Sequence, residues 1–412
     1  MRNNLPVPEP ELQKLLDCVT RHGGVVSDAA RELGLRRSTA VDRLEEAKNR
    51  NLKPSKTVED INNIDHAKLK IKRLEQEISK TKETTFNEKT IRDTIINLGD
   101  EVTKCSPPDW IINPDKTPTK SPGVPTLFAS DWHLGEVVSK SQVGGVNEYN
   151  MRIARVRAQL MIERTVDLLN NHMVNPQYPG IVFALGGDMV SGDIHEELSV
   201  TNEIEMMPVV LELFSMLCWC IENLVEVFGK VFIPCVSGNH GRNTMKTRMK
   251  GRNHTSFDWL TYSFLAKRFE GDKRVSFFIP DAPDAYYKIY NHKYLLTHGD
   301  MLGKGGDGII GAIGPIIRGD VKKRSRNAQV DMEYDTLLCG HYHQLMMLER
   351  VIVNGSLKGY DEYANANNFG FEQPRQALWI THPHQGITFS MPVNVDVKRK
   401  QDIKTDWVGW KN

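Results

Sequence analysis

At 412 residues the chain exceeds one ordinary domain, so two or three units are expected. Forty percent hydrophobic and 25% charged residues describe a soluble globular protein, and a formal net charge of +1 confines any nucleic-acid-binding surface to a local patch. The opening MRNNLPVPEPELQ has no secretory apolar run, and the six cysteines (18, 105, 218, 220, 235, 339) form no CxxC pair. Reduced thiols and a cytoplasmic location follow as expectations. The most apolar stretch, 206–228, carries Glu212, Glu222 and Glu226. It is expected to be a buried helix ending at Gly229, with no membrane partner.

Residues 1–54 read as a small all-α domain. Leu12, Leu15, Leu16 and Val19 have helical spacing, and a Gly23-Gly24 break follows. Ser27 is expected to cap a second helix over 28–33, Gly34 to make the turn, and Ser38 to begin a third through Lys48. The run SDAARELGLRRSTAVDRLEEA resembles a helix-turn-helix, with Ala29 and Ala30 at a helix contact and Val41 and Leu44 facing inward. The resemblance places Arg36, Arg37, Ser38, Thr39 and Arg43 where base and phosphate contacts to DNA are made. Asp42, Glu45 and Glu46 weaken that basic face, and such motifs also serve as protein adaptors.

Residues 55–123 read as a charged helical segment followed by a proline-rich linker. The stripe Ile71, Leu74, Ile78 stops at Thr81, too short for a coiled coil, though it leaves a weak homodimer contact open. From 124 to 395, short apolar runs alternate with amphipathic helices. Strands are expected at 124–129, 181–185, 231–236, 294–297, 336–339, 345–353, 376–380 and 387–391, and helices at about 149–171, 202–228 and 254–269. This order fits an α/β sandwich with mixed sheets. Residues 396–412 form a tail.

Five short motifs stand at the ends of those strands: Asp131-Trp-His133, Gly187-Asp188, Gly238-Asn239-His240, His298-Gly299-Asp300 and Gly340-His341-Tyr342-His343. Singly each is weak; in order they deliver oxygen and imidazole donors to one sheet edge. That mixture suits Mn, Fe, Zn or Co rather than a thiolate site, and one aspartate can bridge two cations about 3.5–4 Å apart. Over 125–390 the set resembles the calcineurin-like metallophosphoesterases. The resemblance implies a sandwich of mixed sheets flanked by helices and two divalent ions, Mn favoured, with Fe, Zn, Co or Ni as alternatives. It implies that Asp131, His133 and His343 hold one metal, that Asn239, His298 and His341 hold the other, and that Asp188 bridges them. His240 would protonate the leaving oxygen or stabilise the transition state. Many family members follow this histidine with a carboxylate; here Gly241 and Arg242 stand instead, leaving Asp193, Glu196, Asp258 and Asp300 as groups that could orient it.

The substrate class is read from the surroundings of the motifs. After His240 the run GRNTMKTRMKGRN holds Arg242, Lys246, Arg248, Lys250 and Arg252 without an acid. Lys322, Lys323, Arg324 and Arg326 follow a glycine-rich stretch, 299–319, read as a loop or lid. Both runs are expected to edge the site, with Arg242, Lys246, Arg248, Lys322 and Lys323 contacting a polyanion such as DNA. SGDIHEE (191–197) suggests roles for Asp193 and His195 near the metals, or an ordinary acidic helix start. In NGSLKGYDEY (354–363), Lys358 is a possible substrate contact and Tyr360 and Tyr363 are expected to be buried. SGDIHEE and NGSLKGYDEY also resemble metallophosphoesterases of phages and prophages, which implies a bacterial host cytoplasm.

Overall fold

The computed structural model describes residues 6–55, 108–112, 123–173, 176–194, 196–303 and 313–396. The charged segment and linker expected over 55–123 lie outside these residues apart from Ser55, 108–112 and Gly123, as do His195, the glycines at 305, 306, 308 and 311, and the tail beyond 396. The chain divides into two units, Met1–Lys89 and Thr90–Asn412.

Among its described residues the first unit packs three helices, α1 (Glu9–Arg21), α2 (Val26–Glu32) and α3 (Arg37–Asn49). Leu12, Leu15, Cys18, Ala29, Ala30, Ala40 and Ala47 are buried, so small side chains let the helices approach closely. Two expectations are corrected. Val41 is 46% exposed, because Ala40 and Ala47 with partly buried Leu44 form the inward face of α3. Ser27 lies inside α2, which begins after Val25 without a side-chain cap.

In the second unit a short helix α4 (Asp109–Ile112) precedes β1 (Val124–Ala129), α5 (Met151–Asn171), β2 (Ile181–Leu185), α6 (Glu196–Thr201), α7 (Met206–Phe228) and β3 (Val231–Pro234). After α8 (Phe257–Arg268) come β4 (Val275–Phe278), β5 (Asp284–Ile289) and β6 (His292–Thr297). Then α9 (Ile313–Ala328), β7 (Thr336–Cys339), β8 (Met346–Met347), β9 (Val351–Val353), α10 (Glu362–Ala366), β10 (Arg375–His382) and β11 (Gly386–Asn394) complete it. One mixed sheet has the order β11-β10-β1-β2-β3-β4, parallel from β1 to β4; the other has the order β5-β6-β7-β9-β8, parallel across β6, β7 and β9.

Strand alternation sorts side chains into three cores. Val124 and Phe128 of β1 meet Val182, Phe232, Tyr287, Tyr294, Leu338 and Trp379 between the sheets. Leu127 and Ala129 face the opposite way, onto a core shared with α5, α7 and α8. Leu295, Leu337 and Val353 turn outward against Ile316 of α9. The result is two mixed sheets flanked by helices. The apolar helix α7, long enough to cross a membrane, is half buried in the first of the helical cores.

Two sequence expectations change here. The stretch expected as one strand over 345–353 is two short strands joined by a turn. The glycine-rich loop expected to run to Gly319 gives way to α9 at Ile313. Pro315 sits in the first turn, where a missing N–H costs little, and a Cβ at Gly319 would come within 2.4 Å of the Leu302 carbonyl oxygen. That glycine permits a close helix approach rather than a flexible loop.

Candidate metal centre

The parallel strands end together, and the turns leaving them are conformationally unusual. Among the described residues, nine non-glycine positions have positive φ, and five of these are Asp131, His133, Asp188, His341 and His343. The left-handed region is uncommon for side-chain-bearing residues and marks backbone held in place by its surroundings. The glycines beside them are sterically required. A Cβ on Gly238 would lie 2.0 Å from Asp188 Oδ1, and one on Gly340 would lie 2.2 Å from Asp131 Oδ2. Gly-Asn-His and Gly-His-Tyr-His therefore begin with glycine because a carboxylate from another strand occupies that space.

Two donor groups result, Asp131/His133/His343 and Asp188/His298/His341, each with its ligand atoms within 4.8 Å of one another. His133 Nε2 and His343 Nε2 are 3.0 Å apart, and His343 Nε2 is 3.4 Å from Asp131 Oδ1. In the second group His298 Nε2 is 2.9 Å from Asp188 Oδ2 and 3.1 Å from Asn239 Oδ1. The Asp188 Oδ2 contact lacks hydrogen-bond alignment, and this buried oxygen has no hydrogen-bond partner. Imidazole nitrogens facing each other, with an orphaned carboxylate oxygen beside them, are what converging lone pairs around cations require; the donor set fits divalent metals. Electrostatics agree: burial would depress His298, yet Asp188 and Asp131 raise it to about 10, so this corner attracts positive charge. Burial and the neighbouring Lys358 and imidazoles hold His133 well below its usual value, in the neutral form a ligand needs.

Surrounding side chains lock the ligands. Asp258 is fully buried and accepts from the backbone N–H groups of Asp188 (3.0 Å), Met189 (3.2 Å) and Gly238 (3.0 Å). Burial and nearby Asp188 lift its carboxyl to about 6 despite these donors. Asp131 takes hydrogen bonds from Ser130 Oγ and the His341 N–H, while Ser356 Oγ donates to its carbonyl. Asn354 ties Phe128 O, Ser130 Oγ and Gln376 Oε1 together from the adjacent strands. Glu136 lies 3.7 Å from His133 Nδ1, accepts from Ser191 Oγ at 3.2 Å, and accepts from Lys358 Nζ at 2.8 Å. Lys358 is buried and reaches Asp361 on its other side at 2.5 Å, so it completes an ion-pair network rather than facing solvent. Glu136, Ser130 and Gln376 were not singled out from sequence. Only Glu136 carried a signal, a carboxylate three residues after a candidate ligand.

His240 Nδ1 is 3.1 Å from the Ser191 carbonyl oxygen, and the His240 N–H donates to Asp188 Oδ1 at 2.6 Å. Of the carboxylates considered for orienting this ring, Asp258 instead organises the Asp188 and Gly238 turns, Asp300 pairs with Arg252 at 3.0 Å, and Asp193 accepts from Asn202. Glu196 begins α6. Arg242 donates to the carbonyls of Asn239, Thr244 and Met245, so its guanidinium staples its own loop. Lys246, Arg248 and Lys250 lie exposed on the loop that follows. Lys322 is exposed on α9; Lys323 pairs with Asp284 at 2.8 Å, opposite Thr297 and next to His298. Tyr360 is partly buried as expected, but Tyr363 is 70% exposed. In the first unit Arg36, Arg37 and Ser38 are exposed at the start of α3, Thr39 is half-buried, and Arg43 pairs with Glu11 at 3.1 Å.

No family model matches the chain, and no curated protein matches it in sequence. A single mutant of Vps29 from Entamoeba histolytica is 13% identical, covering 65% of this chain and 99% of that one, with a TM-score of 0.26. A Staphylococcus aureus protein described as a 5'-nucleotidase is 11% identical, over 68% of this chain and 56% of its own, at 0.29. Phosphopantetheinyl hydrolase from Mycobacterium tuberculosis is 11% identical, over 57% and 88%, at 0.23. Likenesses this slight carry no argument, which rests on the site.

Proposed function

We propose that the chain is a metal-dependent phosphoric ester hydrolase of the metallophosphoesterase type, acting on nucleic acid as a phosphodiesterase or nuclease. The observation that carries the reading is the pair of donor groups at the strand ends of both sheets, built on five left-handed ligand positions. Divalent ions held there supply Lewis-acid stabilisation of a phosphoryl group and a nucleophile at neutral pH. Asp131, His133 and His343 would hold one ion and Asn239, His298 and His341 the other, with Asp188 between them. His240, its tautomer fixed through Nδ1 by Ser191 O, would meet the substrate through Nε2 and assist the leaving oxygen. Mn is the favoured ion.

The cations Lys246, Arg248 and Lys250 just beyond His240 favour an extended polyanion over a small ester. In this reading the three-helix unit recruits the enzyme to DNA as a helix-turn-helix. The second reading, a phosphatase or phosphodiesterase on a small ester or phosphoprotein with the helical unit as a protein adaptor, draws on the local pairing of Lys323 and Arg43. The test is hydrolysis of bis-p-nitrophenyl phosphate against p-nitrophenyl phosphate, on protein stripped of metal and resupplied with Mn. Diester turnover that disappears in Asp188→Asn is the expected result; turnover of the monoester alone favours the second reading.

A further inference from the structure

The loop between His240 and α8 combines features that a purely electrostatic phosphate clamp does not need. Its two roots are fixed. Arg242 staples the first to the carbonyls of Asn239, Thr244 and Met245, and Asn243 N–H donates to Thr255 O at 2.8 Å. Arg252 closes the second root with two 3.0 Å contacts to Asp300, and Asn253 Nδ2 donates to Pro280 O at 2.8 Å. The intervening tip carries Lys246, Arg248 and Lys250, whose side chains have no ion-pair or hydrogen-bond partner among the described residues. Interleaved with them, Met245 and Met249 are 78% and 77% exposed. Two methionines this open, on a loop anchored at both ends, gain nothing from the fold and leave apolar surface in water.

Cations track a phosphate backbone, and an exposed polarizable thioether among them can lie against the aromatic face of a base. Methionine is among the apolar residues that proteins insert between bases, and its flexible thioether adapts to any of them. In a duplex such a wedge must first unstack the base step it enters, a cost that an unpaired strand does not carry, so the combination favours unpaired strands. We infer that the 243–251 loop is a base-contacting finger that selects single-stranded nucleic acid and feeds it to the metal centre. Met245 and Met249 lie against bases, and Lys246, Arg248 and Lys250 against the adjoining phosphates. The inference rests on the phosphoesterase reading and refines its substrate. Tethered five residues beyond His240, Met245 lies within about 18 Å of it along the chain, so the finger engages nucleotides close to the scissile bond.

The test uses the full-length protein, metal-stripped to prevent cleavage, with fluorescein-labelled 20-mer DNA and RNA single strands and a blunt DNA duplex, followed by anisotropy across a salt series. The Met245→Ala/Met249→Ala double variant is expected to bind single strands about tenfold more weakly or worse, with an unchanged salt slope and under twofold effect on the duplex. Lys246→Ala/Arg248→Ala/Lys250→Ala is expected to flatten the single-strand salt slope by about two units at the −0.7 per contact typical of single strands. Both variants should keep the parent's urea-unfolding midpoint and Mn stoichiometry, which separates a lost contact from a misfolded chain. Equal losses on single strand and duplex from the methionine variant, or no loss on either, overturn the finger. A parent protein that hydrolyses the diester but binds no oligonucleotide also overturns it. Absence of diester hydrolysis in the parent would instead remove the phosphoesterase reading beneath it.

Discussion

Asp258 grips the turn of Asp188 from behind: its Oδ2 accepts the Asp188 N–H at 3.0 Å and the Gly238 N–H at the same distance, while Oδ1 takes the Met189 N–H. One buried carboxylate on α8 thus sets the position of the proposed bridging ligand and of the turn that carries Asn239 and His240. Asp258→Asn keeps the shape but turns an amide NH2 toward backbone donors. It is expected to lower stability by about 2–3 kcal/mol, the scale of lost charge-assisted hydrogen bonds with buried donors left unmatched. Urea unfolding at constant m-value and Mn stoichiometry check it together, and metal binding should fall at both sites. An Asp258→Asn variant with parental stability and two tightly held Mn ions would leave Asp258 without this role.

Glu136 faces both His133 Nδ1 and Ser191 Oγ, and the Ser191 carbonyl is the acceptor for His240. At 3.7 Å Glu136 stands at ion-pair distance from His133 Nδ1 and makes no hydrogen bond to it. A carboxylate that takes the N–H of a metal-bound imidazole orients it and raises its basicity, and replacing one costs about 10–100-fold in metal affinity or activity. Glu136→Gln is therefore expected to weaken one Mn site by about tenfold and leave the site built on His298 and His341 unchanged. Titration of free Mn by electron paramagnetic resonance resolves the two. Uniform weakening of both sites would mean general disruption rather than a local effect on His133.

The strand ends were legible because buried strands are short apolar runs closed by small or polar residues, Ser130, Gly186 and Gly340, and β1, β2 and β7 have the limits that pattern gives. Local chemistry also located the chain's imidazoles and carboxylates at those ends. What supports them was not legible, because it is assembled across long separations. Lys358 is 222 residues from Glu136, and Asn354 is 226 from the Phe128 carbonyl it caps. Helix α9 was hidden for a different reason. Gly314, Pro315 and Gly319 read as loop residues, whereas the fold uses Pro315 in the first turn and Gly319 for contact with Leu302. Val41 was misplaced because α3, packed through Ala40 and Ala47, presents only weak apolar periodicity.

The Lys358–Asp361 pair predicts a pH dependence. Burial alone would raise Asp361, but the Lys358 ammonium and the Ala364 N–H together hold it below the usual carboxylate value. A carboxyl whose native value is depressed adds stability above its unfolded value of about 3.9, and this is lost as pH falls through the native value. An asparagine at this position can still accept the Ala364 N–H and so preserves the cap of α10, isolating the ion pair. Asp361→Asn should cost about 3 kcal/mol at pH 7. The parental and variant stabilities should begin to approach each other as pH falls below about 4 and meet once the native carboxyl is protonated. A gap that does not narrow as acid protonates the native carboxyl would place the loss in packing rather than charge.

The last prediction concerns the three-helix unit, where Arg36, Arg37 and Ser38 stand exposed at the start of α3 while Ala29, Ala30 and Ala40 close the helices behind them. Arg43, farther along, is already paired with Glu11. If this end of α3 enters a groove, the two exposed arginines carry most of the phosphate attraction, and each contact contributes about −0.9 to the slope of log K against log salt on duplex DNA. Arg36→Ala/Arg37→Ala should therefore reduce that slope by nearly two and weaken duplex binding at low salt, with bis-p-nitrophenyl phosphate hydrolysis unchanged. Competition binding with labelled duplex over about 50–300 mM salt makes the measurement. An unaltered slope would assign the unit to protein contacts, and nucleic-acid recognition would then fall to the loop beyond His240.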